Sequence, residues 1–183
     1  MIDERLIKRA VRGDRSAFES LYDRHWKAVY SYAWLLTRSV ADAEDITQEC
    51  FLTLIRKPSA YDPSRAQLRT WLIAVVRRQY LGRRRSSQRE SDLDERDDRA
   101  QMDDCSGSFL DELIRLERAE AVRKAMESLP KAQQEALYLF EFEGLSLSEA
   151  AEVLNIQANA VKARLFRARA QLKVLLAPQE RER

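Results

Sequence analysis

Apolar side chains recur three and four residues apart along most of this chain, which is the spacing of an α-helix that buries one face. The 183 residues include only four glycines and four prolines, so residues that break helices are scarce. Strand-like alternation with turn punctuation is not seen in the sequence. The sequence therefore predicts an all-α protein. The spacing is clearest at Phe18, Leu21, Tyr22, His25, Val29, Tyr32 and Ala33.

The predicted helices fall into two groups. The first covers residues 3–12, about 15–38, 41–56 and about 67–82, with a polar loop over residues 59–66. The second covers residues 109–128, 131–143, 146–154 and about 158–175. This predicts two small domains, 1–85 and 111–177, joined by a flexible acidic linker over residues 86–110. In the helix over 67–82, the side chains expected in the core are Leu68, Trp71, Leu72, Val75 and Val76.

The formal net charge of +2 conceals three blocks of different sign. Residues 1–89 carry 18 Lys or Arg and 10 Asp or Glu, and residues 113–183 carry 12 and 10. Residues 90–112 carry two basic and ten acidic side chains. Two basic blocks therefore flank an acidic one, and this segregation favours a nucleic-acid partner although the total is near zero.

Composition excludes several other classes. No apolar run approaches the roughly 20 residues that cross a bilayer, and MIDERLIKR at the N-terminus lacks the apolar segment of a secretory signal. We therefore expect no membrane insertion and a cytoplasmic location. Cys50, Cys105 and the one histidine are too few for a disulfide framework and do not favour a metal site. His25 lies on an apolar helical face with no nucleophile assigned beside it, so neither enzyme activity nor a cofactor is expected.

Residues 146–169, SLSEAAEVLNIQANAVKARLFRAR, have the spacing of a helix-turn-helix. Ala151 is the small residue at the helix crossing, Asn155 a turn residue that tolerates positive φ, and Val161 an apolar anchor. Leu165, Ala168 and Leu172 would pack inward beside Val161. The opposite, basic face would fit a major groove, although an ordinary helical hairpin would show similar features. That face comprises Asn159, Lys162, Ala163, Phe166 and Arg167, with Arg164 and Arg169 on its flanks.

Residues 42–56, DAEDITQECFLTLIR, place acidic residues along one side of a helix within the most basic block. Leu52 lies in the same stripe and gains nothing from exposure to water. This arrangement suits a protein partner with basic side chains, while a solvated face with acids near the helix N-terminus remains an alternative. The stripe consists of Asp42, Asp45, Glu49, Leu52 and Arg56.

Residues 61–85 combine a polar loop containing Tyr61 with a helix that ends in several arginines. Binding of single-stranded DNA needs cationic contacts to the backbone and surfaces that hold unpaired bases. The arginines alone would equally serve nonspecific phosphate binding or solubility. They are Arg77, Arg78, Arg83, Arg84 and Arg85.

Together and in this order, the three segments resemble an extracytoplasmic-function sigma factor, a two-domain specificity subunit of bacterial RNA polymerase. The resemblance extends from AFESLYDRHWKAVYSYA through LRTWLIAVVRRQYLGRRR to the segment ESLPKAQQEALYLFEFEGLSLSEAAEVLNIQANAVKARLFRARAQLK. It implies a region 2 domain, a region 4 domain and, as partners, core RNA polymerase, promoter DNA and an anti-sigma factor. Asn155 stands where the family usually has Gly, and Ala163 where Ser is common.

The resemblance also implies roles for individual residues. Those expected to dock on the clamp helices of the largest polymerase subunit are Asp42, Asp45, Gln48, Glu49 and Leu52. Those expected at the minus-ten element, where a flipped base is trapped, are Tyr61, Ser64, Arg65, Gln67, Arg77, Arg78 and Arg84. Those expected at the minus-thirty-five element are Asn159, Lys162, Ala163, Arg164, Phe166, Arg167 and Arg169, of which Arg164 and Arg169 are expected to lie toward phosphates. The flap region of the polymerase is a further expected contact.

Two other classes stay open at this point. A stand-alone helix-turn-helix regulator would explain residues 146–173 but would leave the acidic stripe and the basic loop and helix without a function. A helical adaptor that binds only protein would not explain two basic surfaces on separate domains.

Overall fold

The structure is a computed structural model that describes residues 2–90 and 120–177. Every element within those two ranges is helical, as the sequence predicts. They form two compact units, one built on the N-terminal helices and one on the C-terminal helices. Most of the predicted acidic linker, including Cys105, and the start of the predicted second domain lie outside the described residues. No helix in the described ranges is both long and apolar enough to cross a membrane.

The N-terminal unit consists of α1 (Ile2–Val11), α2 (Arg15–Thr37), α3 (Val40–Arg56) and α4 (Leu68–Glu90). Helix α2 is central, since it packs against each of the other three. The sequence periodicity of α2 correctly predicts its buried face. The side chains that fill the core most completely are Leu21, Val29, Tyr32, Ile46, Phe51, Leu54, Leu72, Ile73 and Val76.

The ends of α2 and α3 are set by local chemistry. The Asp14 carboxylate accepts a hydrogen bond from the Ala17 backbone N–H at 3.1 Å, and Ser39 Oγ accepts one from the Asp42 N–H at 3.3 Å. Both acceptors satisfy donors that have no partner within a helix. Arg38 ends α2 with a left-handed φ of 56°, and its guanidinium lies 4.7 Å from the centre of the Trp34 ring. These caps fix where α2 begins and ends and where α3 begins.

Helix α4 differs from the prediction in two ways. It continues through Gly82 to Glu90 instead of ending at Gly82. One glycine costs a helix only about 1 kcal/mol relative to alanine, and the arginines after it favour helix. Trp71, predicted to be core, is only half-buried, whereas Ile73 is fully buried. The apolar face of α4 is wider than the prediction assumed and extends toward Ile73, which leaves Trp71 at its edge.

The helices after residue 119, called here the C-terminal unit, are α5 (120–127), α6 (Lys131–Leu137), α7 (Leu147–Leu154) and α8 (Ala158–Leu175). The single helix predicted over 131–143 changes at Tyr138 to a π-helical segment, Tyr138–Phe142. In that segment the Glu143 N–H bonds the Tyr138 carbonyl, five residues back, at 3.0 Å. Gly144 follows with a φ of 66°, as expected of the residue that ends the helix.

Candidate nucleic-acid and polymerase interfaces

The predicted acidic stripe lies along the outer face of α3. Asp42, Asp45 and Gln48 are exposed, and Glu49 is half-buried. Leu52 keeps 39% of its surface exposed in their midst. The structure thus brings the five predicted docking residues together on one surface, named here the α3 face. The opposite side of α3 is in the core through Ala43, Ile46, Cys50 and Leu54.

Two carboxylates of the α3 face have basic neighbours. Asp45 Oδ2 lies 3.8 Å from Arg83 Nη1 of α4, and Glu49 Oε1 lies 3.7 Å from Arg56 Nη1. All four side chains are between 44% and 68% exposed, so each pair contributes about 0–1 kcal/mol. A partner's basic side chain can therefore replace the internal one at little cost. Arg83, which lies 38 positions from Asp45 in the sequence, has no local signal that would have indicated this contact.

Tyr61 lies at the start of the predicted minus-ten loop and contacts the first turn of α4. Its ring centre is 5.6 Å from that of Trp71, and the Trp71 indole N–H donates to the Ala60 carbonyl at 3.1 Å. Burial raises the pKa of Tyr61, and the nearby carboxylates of Asp3, Glu4 and Asp62 add to that effect. Trp71 thus supports the loop, a role that its assignment to the core did not anticipate.

The tip of the loop is held by Asp62. Its Oδ1 accepts from the Ser64 N–H at 2.9 Å and from the Ser64 hydroxyl at 2.7 Å. These bonds, with the hydroxyl contributing most, lower the pKa of the Asp62 carboxyl. The Ser64 hydroxyl is therefore already engaged as a donor, while Arg65 and Gln67 are exposed beside it.

The three predicted arginines of α4 do not share one edge of the helix. Arg78 lies seven residues after Trp71, which is two helical turns, and so continues the edge of α4 on which Trp71 contacts Tyr61. Arg77 and Arg84 are also seven residues apart and define a different edge, about 100–120° away by helical geometry. The Arg84 guanidinium lies 6.0 Å from the centre of the Tyr80 ring.

The helix-turn-helix geometry follows the prediction closely. Ala151 is 7% exposed, Asn155 has a φ of 49°, and Val161 is fully buried. Leu165 and Ala168 are buried on the same side of α8, and Leu172 is partly buried. Asn159, Lys162, Phe166 and Arg167 are exposed on the outer side, where Phe166 keeps 75% of its surface in solvent. Ala163 and Arg164 are half-buried beside them.

Arg169 has a different environment from the one predicted for a phosphate contact. Its Nη2 and Nε both donate to Glu141 Oε1, at 2.6 and 3.1 Å, and its guanidinium lies 5.4 Å from the centre of the Phe140 ring. Both partners belong to the π-helical segment. The sequence analysis missed them because they lie 28 and 29 positions before Arg169.

Cys50 and His25 are both buried. Cys50 Sγ donates to the Leu72 carbonyl at 3.4 Å, and burial raises the pKa of this thiol to about 12. His25 is 7% exposed and contacts Asp3 Oδ2 at 3.1 Å. Burial lowers the pKa of His25, against the opposing effect of Asp3. Both residues thus have the environment of packed side chains.

Comparison with known proteins matches two segments of the chain to families of sigma-factor regions. Residues 21–90 match the family described as Sigma-70 region 2, and residues 119–172 match Sigma-70, region 4. The extracytoplasmic-function (ECF) RNA polymerase sigma factor SigM of Mycobacterium tuberculosis is 30% identical over 174 residues, which cover 95% of this chain and 84% of SigM.

Two solved structures have a similar fold. CnrH, in complex with the cytosolic domain of CnrY, is 27% identical with a TM-score of 0.63, and the match covers 96% of this chain and 97% of CnrH. The sigma factor RpoE of Bartonella quintana, in complex with the anti-sigma factor NepR, is 24% identical with a TM-score of 0.72. That match covers 88% of this chain and 98% of RpoE.

A stand-alone regulator is not favoured, because both sigma regions are present and the relative SigM aligns along nearly the whole chain. A protein-only adaptor is disfavoured for the same reason. The chain belongs to the extracytoplasmic-function sigma factors, which bind core RNA polymerase and direct transcription initiation at promoters.

Proposed function

We propose that three surfaces divide the work of this sigma factor. The α3 face docks on the clamp helices of the largest polymerase subunit, the loop after α3 with α4 binds the minus-ten element, and α8 reads the minus-thirty-five element. The chain acts in the cytoplasm as a binding subunit, without catalysing a reaction itself. The observation that carries this proposal is the α3 face, an exposed acidic surface within a block whose net charge is +8.

An acidic surface would repel the DNA that the rest of this block attracts. Its exposed carboxylates surround Leu52, so a partner gains both charge complementarity and burial of an apolar side chain. The pairs with Arg83 and Arg56 are long and exposed, and exchanging them for basic groups of the polymerase costs little. We therefore assign core docking to Asp42, Asp45, Gln48, Glu49 and Leu52.

The test is Asp45→Ala combined with Glu49→Ala, measured as affinity for core polymerase. We expect weaker binding to core, with binding of the minus-thirty-five duplex unchanged. Glu44→Ala is the matched control, because Glu44 is an exposed carboxylate of α3 about 100° around the helix from the centre of the stripe. An unchanged core affinity in the double variant, or an equal loss in Glu44→Ala, would remove the docking assignment.

For the minus-ten element, Tyr61 and Trp71 supply adjoining aromatic rings, and Arg78 follows on the same edge of α4. Aromatic surfaces beside cationic side chains are what unpaired bases and their phosphates require. We assign the flipped base to the loop with Tyr61, Ser64, Arg65 and Gln67, and the adjoining strand to Arg78. Arg77 and Arg84, on the other edge, are assigned to the phosphates of the neighbouring duplex.

For the minus-thirty-five element, α8 offers one buried side and one exposed basic side. We assign base contacts to Lys162, Ala163, Phe166 and Arg167, with Asn159 at the start of the helix. Arg164 lies on the flank, where a phosphate contact is within reach of its side chain.

We also propose that an anti-sigma factor covers these surfaces when the protein is idle, and that the C-terminal unit contacts the polymerase flap region. Support for the first proposal comes from the solved sigma factor RpoE, which is bound to the anti-sigma factor NepR. The exposed apolar side chains Leu52 and Phe166 are suitable anchors. A protein that blocks both core binding and duplex binding would meet the proposal, and one that leaves both unchanged would not.

A further inference from the structure

The pair between Glu141 and Arg169 links the π-helical segment to the recognition helix at the edge of its DNA-facing side. Arg169 lies seven residues, or two turns, after Lys162, so the two side chains leave α8 along the same edge. By its place on the helix, at the edge of the DNA-facing side, Arg169 is within reach of a DNA phosphate. The guanidinium is instead directed to the Glu141 carboxylate at 2.6 Å and toward the Phe140 ring.

The π-helical segment is what supplies both contacts. Its i→i+5 hydrogen bond from Glu143 to Tyr138 adds a residue to the turn and shifts the helical phase of the residues within it. Phe140 and Glu141 are adjacent residues, yet both meet the same arginine. The guanidinium therefore has a carboxylate and an aromatic ring fixed around it, and π-helical turns of this kind occur frequently at functional sites.

We propose that Glu141 is a specificity-determining residue, which withholds Arg169 from the DNA backbone and so limits nonspecific binding. Contacts to phosphates strengthen binding to every sequence alike, whereas contacts to base edges distinguish sequences. A paired Arg169 adds no net charge at this edge of α8. The base contacts of the exposed face then contribute a larger share of the total free energy of binding to DNA. The inference rests on the proposed placement of α8 on the minus-thirty-five element.

The proposal predicts a change in salt dependence that a purely structural role would not produce. Each phosphate that a side chain neutralises adds about 0.9 to the slope of log K against log salt concentration. Replacing Glu141 by the isosteric, uncharged Gln releases one arginine. We expect Glu141→Gln to steepen the slope on random duplex DNA by about 0.9 and to raise that affinity up to about eightfold at 0.1 M salt. The preference for promoter over random DNA falls by a similar factor.

The experiment uses the full chain with two duplexes of equal length, one of random sequence and one carrying a promoter mapped by run-off transcription. Fluorescence anisotropy across a salt series gives the slopes for Glu141→Gln, Arg169→Gln and the double variant. Arg169→Gln alone is expected to keep the wild-type slope, and the double variant to match Arg169→Gln. Glu152→Gln is the matched control, since it removes the same charge from an exposed position of α7.

Two results would overturn the role of Glu141. In one, the salt slope of Glu141→Gln equals that of Glu152→Gln. In the other, the slope of Arg169→Gln alone is flatter than the wild-type slope by about 0.9. Arg164→Gln tests the underlying placement separately, because Arg164 is assigned to a phosphate and its loss should flatten the slope by about 0.9 whatever Glu141 does. An unchanged slope in Arg164→Gln would remove α8 from the DNA and the proposed interface with it.

Discussion

Asn155, in the turn between α7 and α8, offers a stability prediction whose magnitude follows from the backbone. Its φ is 49°, in the left-handed region, and its side chain is exposed. Its N–H bonds the Glu152 carbonyl at 3.2 Å, and the Ile156 N–H bonds the Ala151 carbonyl at 3.0 Å. These two bonds form a Schellman motif with Asn155 in the position that Gly usually takes. A substitution here therefore changes mainly the free energy of the left-handed conformation and little of the packing.

We expect Asn155→Ala to destabilise the C-terminal unit by about 1 kcal/mol, since an ordinary L-residue pays about 1–2 kcal/mol in this region and Asn somewhat less. Asn155→Gly should stabilise the unit by a few tenths of a kcal/mol up to about 1, because glycine has no Cβ to clash. For a unit of this size, 1 kcal/mol corresponds to a shift in Tm of about 4–8 °C. Asn159→Ala is the control, because the same chemical change at a right-handed, exposed helical position should stay within about 0.5 kcal/mol of zero.

The chain provides its own internal reference for this assay. All three tryptophans, at positions 26, 34 and 71, lie in the N-terminal unit. Thermal unfolding followed by tryptophan fluorescence should therefore be unchanged in every Asn155 variant, while the helix signal in circular dichroism reports the shift of the C-terminal unit. If Asn155→Gly lowers the Tm, or if Asn155→Ala and Asn159→Ala behave alike, the left-handed turn is not what limits the stability of this unit.

Three further predictions concern single side chains. Arg167→Ala should cost about 1–3 kcal/mol of binding to the promoter duplex in an anisotropy titration, and an equal loss on random DNA would mean a phosphate contact instead of a base contact. Because burial holds the pKa of Cys50 at about 12, its thiol in a Cys105→Ser variant should react with a thiol reagent only as fast as the N-terminal unit opens; rapid labelling of the native protein would contradict this. Burial lowers the pKa of His25 below its usual 6.5, so the unfolded chain takes up the proton first and the stability of the N-terminal unit should fall as the pH drops below about 6.5. Urea titrations followed by tryptophan fluorescence at several pH values should show less of this loss in His25→Gln, and an identical loss would assign it to other groups.

The sequence predicts well those features that depend only on residues within one helix or turn. The buried face of α2, the exposed acids of α3 and the turn at Asn155 each follow from spacing within a single segment. The errors lie where a second segment intervenes. Trp71 is at the edge of the apolar face, and its position depends on the loop carbonyl of Ala60 that its indole N–H meets. The predicted end of α4, at about residue 82, is too early, because the arginines that follow Gly82 favour helix and one glycine costs little.

The ion pairs of the candidate surfaces are likewise not predictable from local sequence spacing. Helical projection predicts which charges are exposed, but not that Asp45 meets Arg83 or that Glu141 meets Arg169. Both pairs join residues far apart in sequence, so local spacing holds no information about them. The π-helical segment adds to the difficulty, because a single change of helical repeat shifts the direction of Phe140 and Glu141 relative to an α-helical projection.

The two ion pairs should behave in opposite ways when the protein binds its partners. The Asp45 and Arg83 groups are 3.8 Å apart and exposed, so a basic side chain of the polymerase can displace Arg83 and leave it available to DNA phosphates. Arg169 makes two short hydrogen bonds to Glu141 and also faces the Phe140 ring, so a phosphate must compete with several contacts at once. If both proposals hold, α8 makes fewer phosphate contacts than its number of exposed arginines suggests. In α4 the number of exposed arginines comes closer to the number of phosphate contacts once the polymerase has bound. Salt dependence measured on the free protein and on the holoenzyme should consequently differ at the minus-ten element more than at the minus-thirty-five element.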